Sequence, residues 1–153
     1  MNIAVYVDDT ILASNDFDYL KEEKLKLSKH FDMDDRGEIH YLLGMCIKRN
    51  MNLKVLTIDQ TAYLESVLKR FRMEDCQPVS TPMETGKKFE KLDDGEEPID
   101  VTNYQAAIGS LTYASIGTRP DLSAAVGALS QFMSKPGQEH CVGVKRILFL
   151  KLN

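Results

Sequence analysis

The stretch NIAVYVDDTILAS, residues 2–14, puts the tightest limit on how this chain can fold. Two short runs rich in β-branched and aromatic residues, IAVYV and TILAS, flank Val7, Asp8 and Asp9. Successive residues of a strand face opposite ways, so apolar side chains at consecutive positions predict two strands buried on both faces. A tight turn at the aspartates closes the pair. Two ionised carboxylates about 5 Å apart repel by roughly 3 kcal/mol at an effective dielectric near 20. Solvation, protonation of one group or a bound cation relieves that repulsion. The turn lets at least one carboxylate face a shared site, an arrangement that metal-assisted phosphoryl chemistry uses. A plain solvated Asp-Asp turn accounts for the same residues.

Past Asp16 the period changes. Phe17, Leu20, Leu27 and Phe31 fall on one helical face, with Asn15 or Asp16 as N-cap. GEIHYLLGMCIKRN then alternates, placing Ile39, Tyr41, Leu43, Met45 and Ile47 on one strand face, and after NMN the run LKVLTID returns as a second strand. Asp59 stands where it can cap a helix carrying Tyr63, Leu64, Val67, Leu68 and Phe71. Residues 76–101 hold three of the five prolines and many charges without periodicity, which predicts a linker, with 84–100 poorly ordered. Three helices follow. One covers about 102–115 with Tyr104, Ile108, Leu111 and Ala114 on a face; a second starts at Asp121 with Leu122, Ala125, Val126, Leu129 and Phe132; a third covers about 138–151. The fold class is α+β.

A net charge of −4 gives no global pull on nucleic acid, so polyanion binding needs a local patch or a metal. The three cysteines, Cys46, Cys76 and Cys141, are odd in number and widely spaced, which argues against a disulfide framework or zinc site. No apolar run approaches the roughly 18 residues that a bilayer span requires, and no secretory signal is visible; the expectation is an intracellular, non-membrane protein. His30, His40 and His140 are scattered, which points to surface or packing roles. Ser80 and Thr81 in PVSTP have no His/Asp partners and read as rigid connection. Arg119, before Pro120, either orients a helix start or touches nucleic acid, and the former is preferred. The seven methionines read as core filler.

YVDD (Tyr6 to Asp9) followed by ILAS resembles the palm motif of a reverse transcriptase. Further phrases in order resemble the copia-type retrotransposon polymerases: HFDMDDRGEIHYLLGMCI (30–47), YLESVLKRFRMEDCQPVSTPME (63–84), YQAAIGSLTYASIGTRPDLSAAVGALSQFMSKPGQEH (104–140) and KRIL (145–148). Together they cover nearly the whole chain. The resemblance implies a partial polymerase palm over 1–58, thumb-like helices over 59–134 with the linker at 76–101, and over 135–153 the start of a connection towards an RNase H domain. It implies Asp8 as principal ligand of a catalytic Mg²⁺ pair and Asp9 as auxiliary ligand. Tyr6 and Val7 would lie near the primer terminus and incoming nucleotide, while Leu43, Gly44 and Met45 would belong to a hairpin gripping the primer. Lys48, Arg49, Lys69, Arg70 and Arg72 could meet backbone phosphates, or simply face solvent. The implied partners are an RNA template, a DNA primer and the rest of a Pol polyprotein. The implied setting is a cytoplasmic retroelement particle or the nucleus.

In that family a third carboxylate comes from a palm strand upstream of YVDD, and nothing downstream here matches it; Asp32, Asp34 and Asp35 belong to a helix end and turn. The expectation is therefore a C-terminal piece of the polymerase that lacks fingers, leaves the hairpin 2–14 without neighbouring strands and adds no nucleotides alone. The family usually has leucine at Arg36 and a bulky aromatic at Cys141, and Gly143 inside a helix costs about 1 kcal/mol against alanine. These departures suggest relaxed constraint on the last helix, as in a decayed element copy. Beside the truncated enzyme stand two alternatives: a non-enzymatic remnant, inert or kept as a nucleic-acid- or protein-binding module, and an unrelated α+β interaction domain with a chance acidic turn.

Overall fold

The computed structural model describes every residue except Asp75, Cys76, Pro78, Thr85, Asp94 and 151–153. The expectations for Cys76 and for a last helix reaching 151 fall on residues outside that set. The chain divides into two units, Met1–His40 and Tyr41–Asn153. It is mixed α and β, with two small antiparallel sheets and five α-helices among the described residues, in keeping with α+β.

In the first unit β1 (Asn2–Tyr6) pairs with β2 (Asp9–Ala13) in a register running from Asn2 opposite Ala13 to Tyr6 opposite Asp9. The hairpin forms where the composition put it, and it pairs with no third strand among the described residues. Burial on both faces does not hold. All five residues of β1 are exposed, Val5 at 69%. A two-stranded ribbon buries its apolar faces only against further layers. Helix α1 (Phe17–His30) starts on Asp16, whose carboxylate accepts the backbone N–H groups of Asp18 and Tyr19, each at 3.0 Å. That settles the cap between the two candidates. No residue of α1 is buried, and Phe17 and Phe31 are exposed.

The second unit begins with a three-stranded antiparallel sheet, β3 (Tyr41–Leu42), β4 (Met45–Asn50) and β5 (Val55–Asp59), in that order. The reading of 37–50 as one alternating strand is corrected. Leu43 and Gly44, at φ 50 and 78, reverse the chain, and Leu42 pairs with Met45 across the turn. Left-handed backbone at two successive residues is a hairpin-closing conformation, which breaks the shared face that alternation predicted. Helix α2 (Thr61–Arg70) takes Gln60 as its N-cap, without a side-chain capping bond. Asp59 is instead the last residue of β5, with Oδ1 accepting from the Thr61 N–H at 3.3 Å.

The core gathers around helix α3 (Val101–Gly117), capped by Asp100. Leu64 and Val67 from α2, Tyr104, Ile108, Leu111 and Ala114 from α3, and Leu122 all bury there. Helix α4 (Ser123–Ser130) adds Ala125, Val126 and Leu129, and α5 (Gln138–Leu148) adds Val144 and Ile147. The helix expected from Asp121 opens with a 3-10 turn, Pro120–Leu122, since proline suits a first helical position and Arg119 forks onto Asp121 at 3.0 and 2.8 Å. That contact holds the Asp121 carboxyl below its usual range and bears out the orienting role of Arg119. Phe132 lies beyond α4, not on it.

The linker expected at 76–101 forms no helix or named strand before α3 among its described residues, and contacts tie it to α5 and the residues just after. Val79 donates to the Phe149 carbonyl at 2.8 Å and bridges in parallel to Leu150. The Glu139 carboxylate accepts the Glu90 N–H at 3.1 Å and the Lys87 ammonium at 3.0 Å, which hold it below its usual range. His140 is buried: Nδ1 accepts from the Gly137 N–H at 2.8 Å, Nε2–H donates to the Glu90 carbonyl at 2.9 Å, and the ring stacks on Phe132 at 4.0 Å. The packing role expected of His140 is met.

Gly143 also changes meaning. A Cβ there would come within 2.8 Å of the Phe89 ring and 2.9 Å of a Leu129 methyl. The missing side chain leaves the space that the Phe89 ring and a Leu129 methyl occupy. In an open helix Gly→Ala stabilises by about 0.5–1 kcal/mol. Here Gly143→Ala is expected to destabilise by about 1–3 kcal/mol through overpacking, read from urea unfolding. A gain in stability would show that Phe89 does not need the gap.

Candidate functional site

Asp8 and Asp9 stand at the tip of the β1–β2 hairpin, where Val7 and Asp8 bridge the Tyr6–Asp9 pair. Alternation would send adjacent carboxylates to opposite faces. Placing Asp8 in the turn and Asp9 at the first position of β2 relaxes that rule. Both are exposed, and among the described residues neither carboxylate has an ion-pair or hydrogen-bond partner. Tyr6 and Val7 are exposed too, Val7 at 80%.

Val7 has φ 50, a left-handed backbone that a β-branched residue rarely adopts. Such a conformation costs on the order of 1–3 kcal/mol and persists where surrounding structure or function requires it. Among the described residues no three His, Cys, Asp or Glu side chains group as metal ligands.

The remaining candidates belong to the second unit. Leu43 and Gly44 form the β3–β4 turn, and Met45 opens β4. The Leu43 carbonyl accepts a hydrogen bond from the Tyr113 hydroxyl of α3. Lys48 and Arg49 follow on β4, exposed, with Lys48 Nζ 3.8 Å from Asp59 Oδ2. Arg49 lines a shallow cavity of about 360 Å³ with Asn50, Met51, Lys54, Val55 and Leu56. Lys69 and Arg70 are exposed on the last turn of α2, where cations suit the carbonyl end of the helix dipole. Arg72 sits just beyond, left-handed at φ 56. The structure thus brings Lys69, Arg70 and Arg72 to one helix end, and Lys48 and Arg49 to one strand.

A larger cleft of about 640 Å³ between the 79–89 segment and α5 is lined by Val79, Met83, Phe89, Val142, Arg146 and Phe149 among others, and by none of the candidate residues. Sequence reasoning missed Tyr63 and Tyr113, which back the β3–β4 turn. The available signal was the LLG triplet at 42–44, a turn cue lying inside an otherwise alternating run.

The family described as reverse transcriptase (RNA-dependent DNA polymerase) matches residues 1–85, and the chain belongs to it. Within that family its kinship is to copia-type retrotransposons. It is 40% identical to the retrovirus-related Pol polyprotein from transposon TNT 1-94 of Nicotiana tabacum, over 95% of this chain and 11% of that protein. To the Pol polyprotein from transposon RE1 of Arabidopsis thaliana it is 41% identical, over 94% of this chain and 10% of that protein. An uncharacterized mitochondrial protein of Arabidopsis thaliana is 34% identical over 97% of this chain and 60% of its own length. The chain thus spans about a tenth of the length of these transposon polyproteins. No solved structure matches it. Among the described residues no helix is long and apolar enough to cross a membrane.

Val7→Gly is expected to strengthen the β1–β2 pairing by about 1 kcal/mol by relieving the left-handed turn, read as slower amide exchange across Tyr6–Asp9. Faster exchange in the variant would show that the turn is not under strain.

Proposed function

We propose that this chain contributes part of the RNA-directed DNA polymerase of a copia-type retrotransposon Pol polyprotein. The observation that carries the reading is YVDD at a strained, exposed hairpin tip inside the segment that matches the reverse transcriptase family. Residues 1–58 act as a partial palm, 59–134 as thumb-like helices, and 135–153 as the start of a connection towards an RNase H domain.

The residues fit Mg²⁺. Asp8 and Asp9 offer hard carboxylate oxygens with no competing protein partner among the described residues. Mg²⁺ commonly binds through one or two carboxylates, with waters and substrate phosphates completing its shell. When bound, the metal supplies charge stabilisation at the phosphoryl oxygens in nucleotidyl transfer. Asp8 is the principal ligand and Asp9 the auxiliary one. Tyr6 and Val7 lie against the primer terminus and incoming nucleotide. The Leu43–Met45 turn meets the primer strand, and Lys48, Arg49, Lys69, Arg70 and Arg72 meet backbone phosphates. A third carboxylate from elsewhere in the polyprotein completes the site, so the chain by itself adds no nucleotides.

The second reading is a non-enzymatic remnant that binds nucleic acid or protein. The exposure of both carboxylates, with no third acidic group beside them among the described residues, favours it.

Two measurements separate the readings. Mn²⁺ titrated into the purified chain should broaden the amide signals of Tyr6–Thr10, and Asp8→Asn should suppress that broadening. Exchanging this chain for the matching segment of the tobacco polyprotein, with Asp8→Asn as the variant, should cut Mg²⁺-dependent nucleotide incorporation about a hundredfold or more, the scale lost with a major electrostatic contributor. Broadening elsewhere, or incorporation indifferent to Asp8→Asn, would overturn the enzymatic reading.

A further inference from the structure

The turn between β3 and β4 is built against its own sequence. Gly44 at φ 78 suits left-handed backbone, but Leu43 at φ 50 does not. Leu43 gains little burial in return, since it stays 36% exposed. Something else must hold the turn.

Two tyrosines on different helices do so. The Tyr113 hydroxyl, from α3, donates to the Leu43 carbonyl across 70 residues of sequence. Its ring stands edge-on to Tyr63 of α2, with centroids 4.9 Å apart and planes at 80°, a favoured aromatic geometry. Tyr63 is fixed in turn by its own hydroxyl, which donates to the Ser110 carbonyl of α3 at 3.1 Å. A Cβ at Gly44 would lie 3.9 Å from both the Tyr113 hydroxyl oxygen and Tyr63 Cδ2, so the turn stands beside the two rings with room for a methyl between. Strain in an exposed turn, combined with a dedicated side-chain anchor from the helical core, marks a loop whose shape matters to something outside it.

We propose that Tyr113, backed by Tyr63, is a positioning residue that holds the Leu43–Gly44 turn in its strained form, so that Leu43 is presented outward to a nucleic-acid primer strand. This rests on the reading of the turn given under Proposed function. Tyr113 does not itself touch the strand. Its hydroxyl fixes the carbonyl of the residue that does.

The test uses the purified chain with Tyr113→Phe, which keeps the ring and removes only the hydroxyl. Amide exchange at Gly44 and Met45 should accelerate about fivefold, the effect of one lost net hydrogen bond, while the thermal midpoint of the helical core stays within a degree or two. Affinity for an RNA–DNA hybrid should fall severalfold in the same variant. Leu43→Ala should weaken hybrid binding without changing exchange at Met45. Tyr63→Phe, which leaves the Leu43 bond in place, should have a smaller effect on both readouts. Unchanged exchange in Tyr113→Phe would overturn the anchor. Faster exchange with unchanged affinity, in a chain whose wild type binds the hybrid, would overturn the positioning role. Failure of the underlying primer reading looks different: the wild-type chain then shows no hybrid affinity, while Tyr113→Phe still accelerates exchange.

Discussion

The enclosure of α3 is the constraint on which residues 41–150 depend. Leu111 and Ala114 are fully removed from solvent, and Ile108 nearly so, by side chains from α2, the 3-10 turn, α4 and α5. Burying one leucine of this kind is worth about 1.5–3 kcal/mol. The same helix carries the polar ties that set its neighbours. Tyr104 donates to the Leu129 carbonyl at 2.8 Å, Ser110 receives Tyr63, and Tyr113 reaches the β3–β4 turn. A helix surrounded on so many sides makes the loops that contact it stiff, which suits the role proposed for the β3–β4 turn.

The first unit follows another logic. Its hairpin is apolar on both faces yet exposed, and its carboxylates meet nothing of opposite sign among the described residues. A ribbon of this composition gains its full stability only when further layers cover it, and a bound cation would relieve the repulsion between the two carboxylates. The proposed function would supply both in one stroke: a palm layer for the strands and Mg²⁺ for the aspartates. The proposed function therefore explains two features that would each be unfavourable in isolation.

Much of this architecture was legible in the sequence, for identifiable reasons. The periodicity of Leu64 and Val67, and of Tyr104, Ile108, Leu111 and Ala114, marked buried helix faces because their burial comes from neighbours within this chain. The hairpin at 2–14 was legible from its β-branched runs, though its burial was not, since no such neighbours accompany it in its unit. The residue alternation hid the Leu43–Gly44 turn, because left-handed leucine contradicts local preference and Tyr113, far along the chain, bonds its carbonyl. Where the linker docks was hidden for a similar reason. Phe89 against Gly143, Glu90 against Glu139 and His140, and Val79 against Phe149 are pairings at long separation, and charge and proline content carry no trace of them. In the candidate site, the aspartates and the turn were named from the motif and the resemblance, whereas the tyrosine seat required the fold.

If α3 organises the second unit, the clearest measurement is Leu111→Ala followed by native-state hydrogen exchange. The account predicts a loss of about 2–5 kcal/mol, felt together at β4, α2 and α5 as one cooperative opening. A variant that loosens α3 alone, leaving protection at Ile47, Leu64 and Ile147 intact, would contradict it.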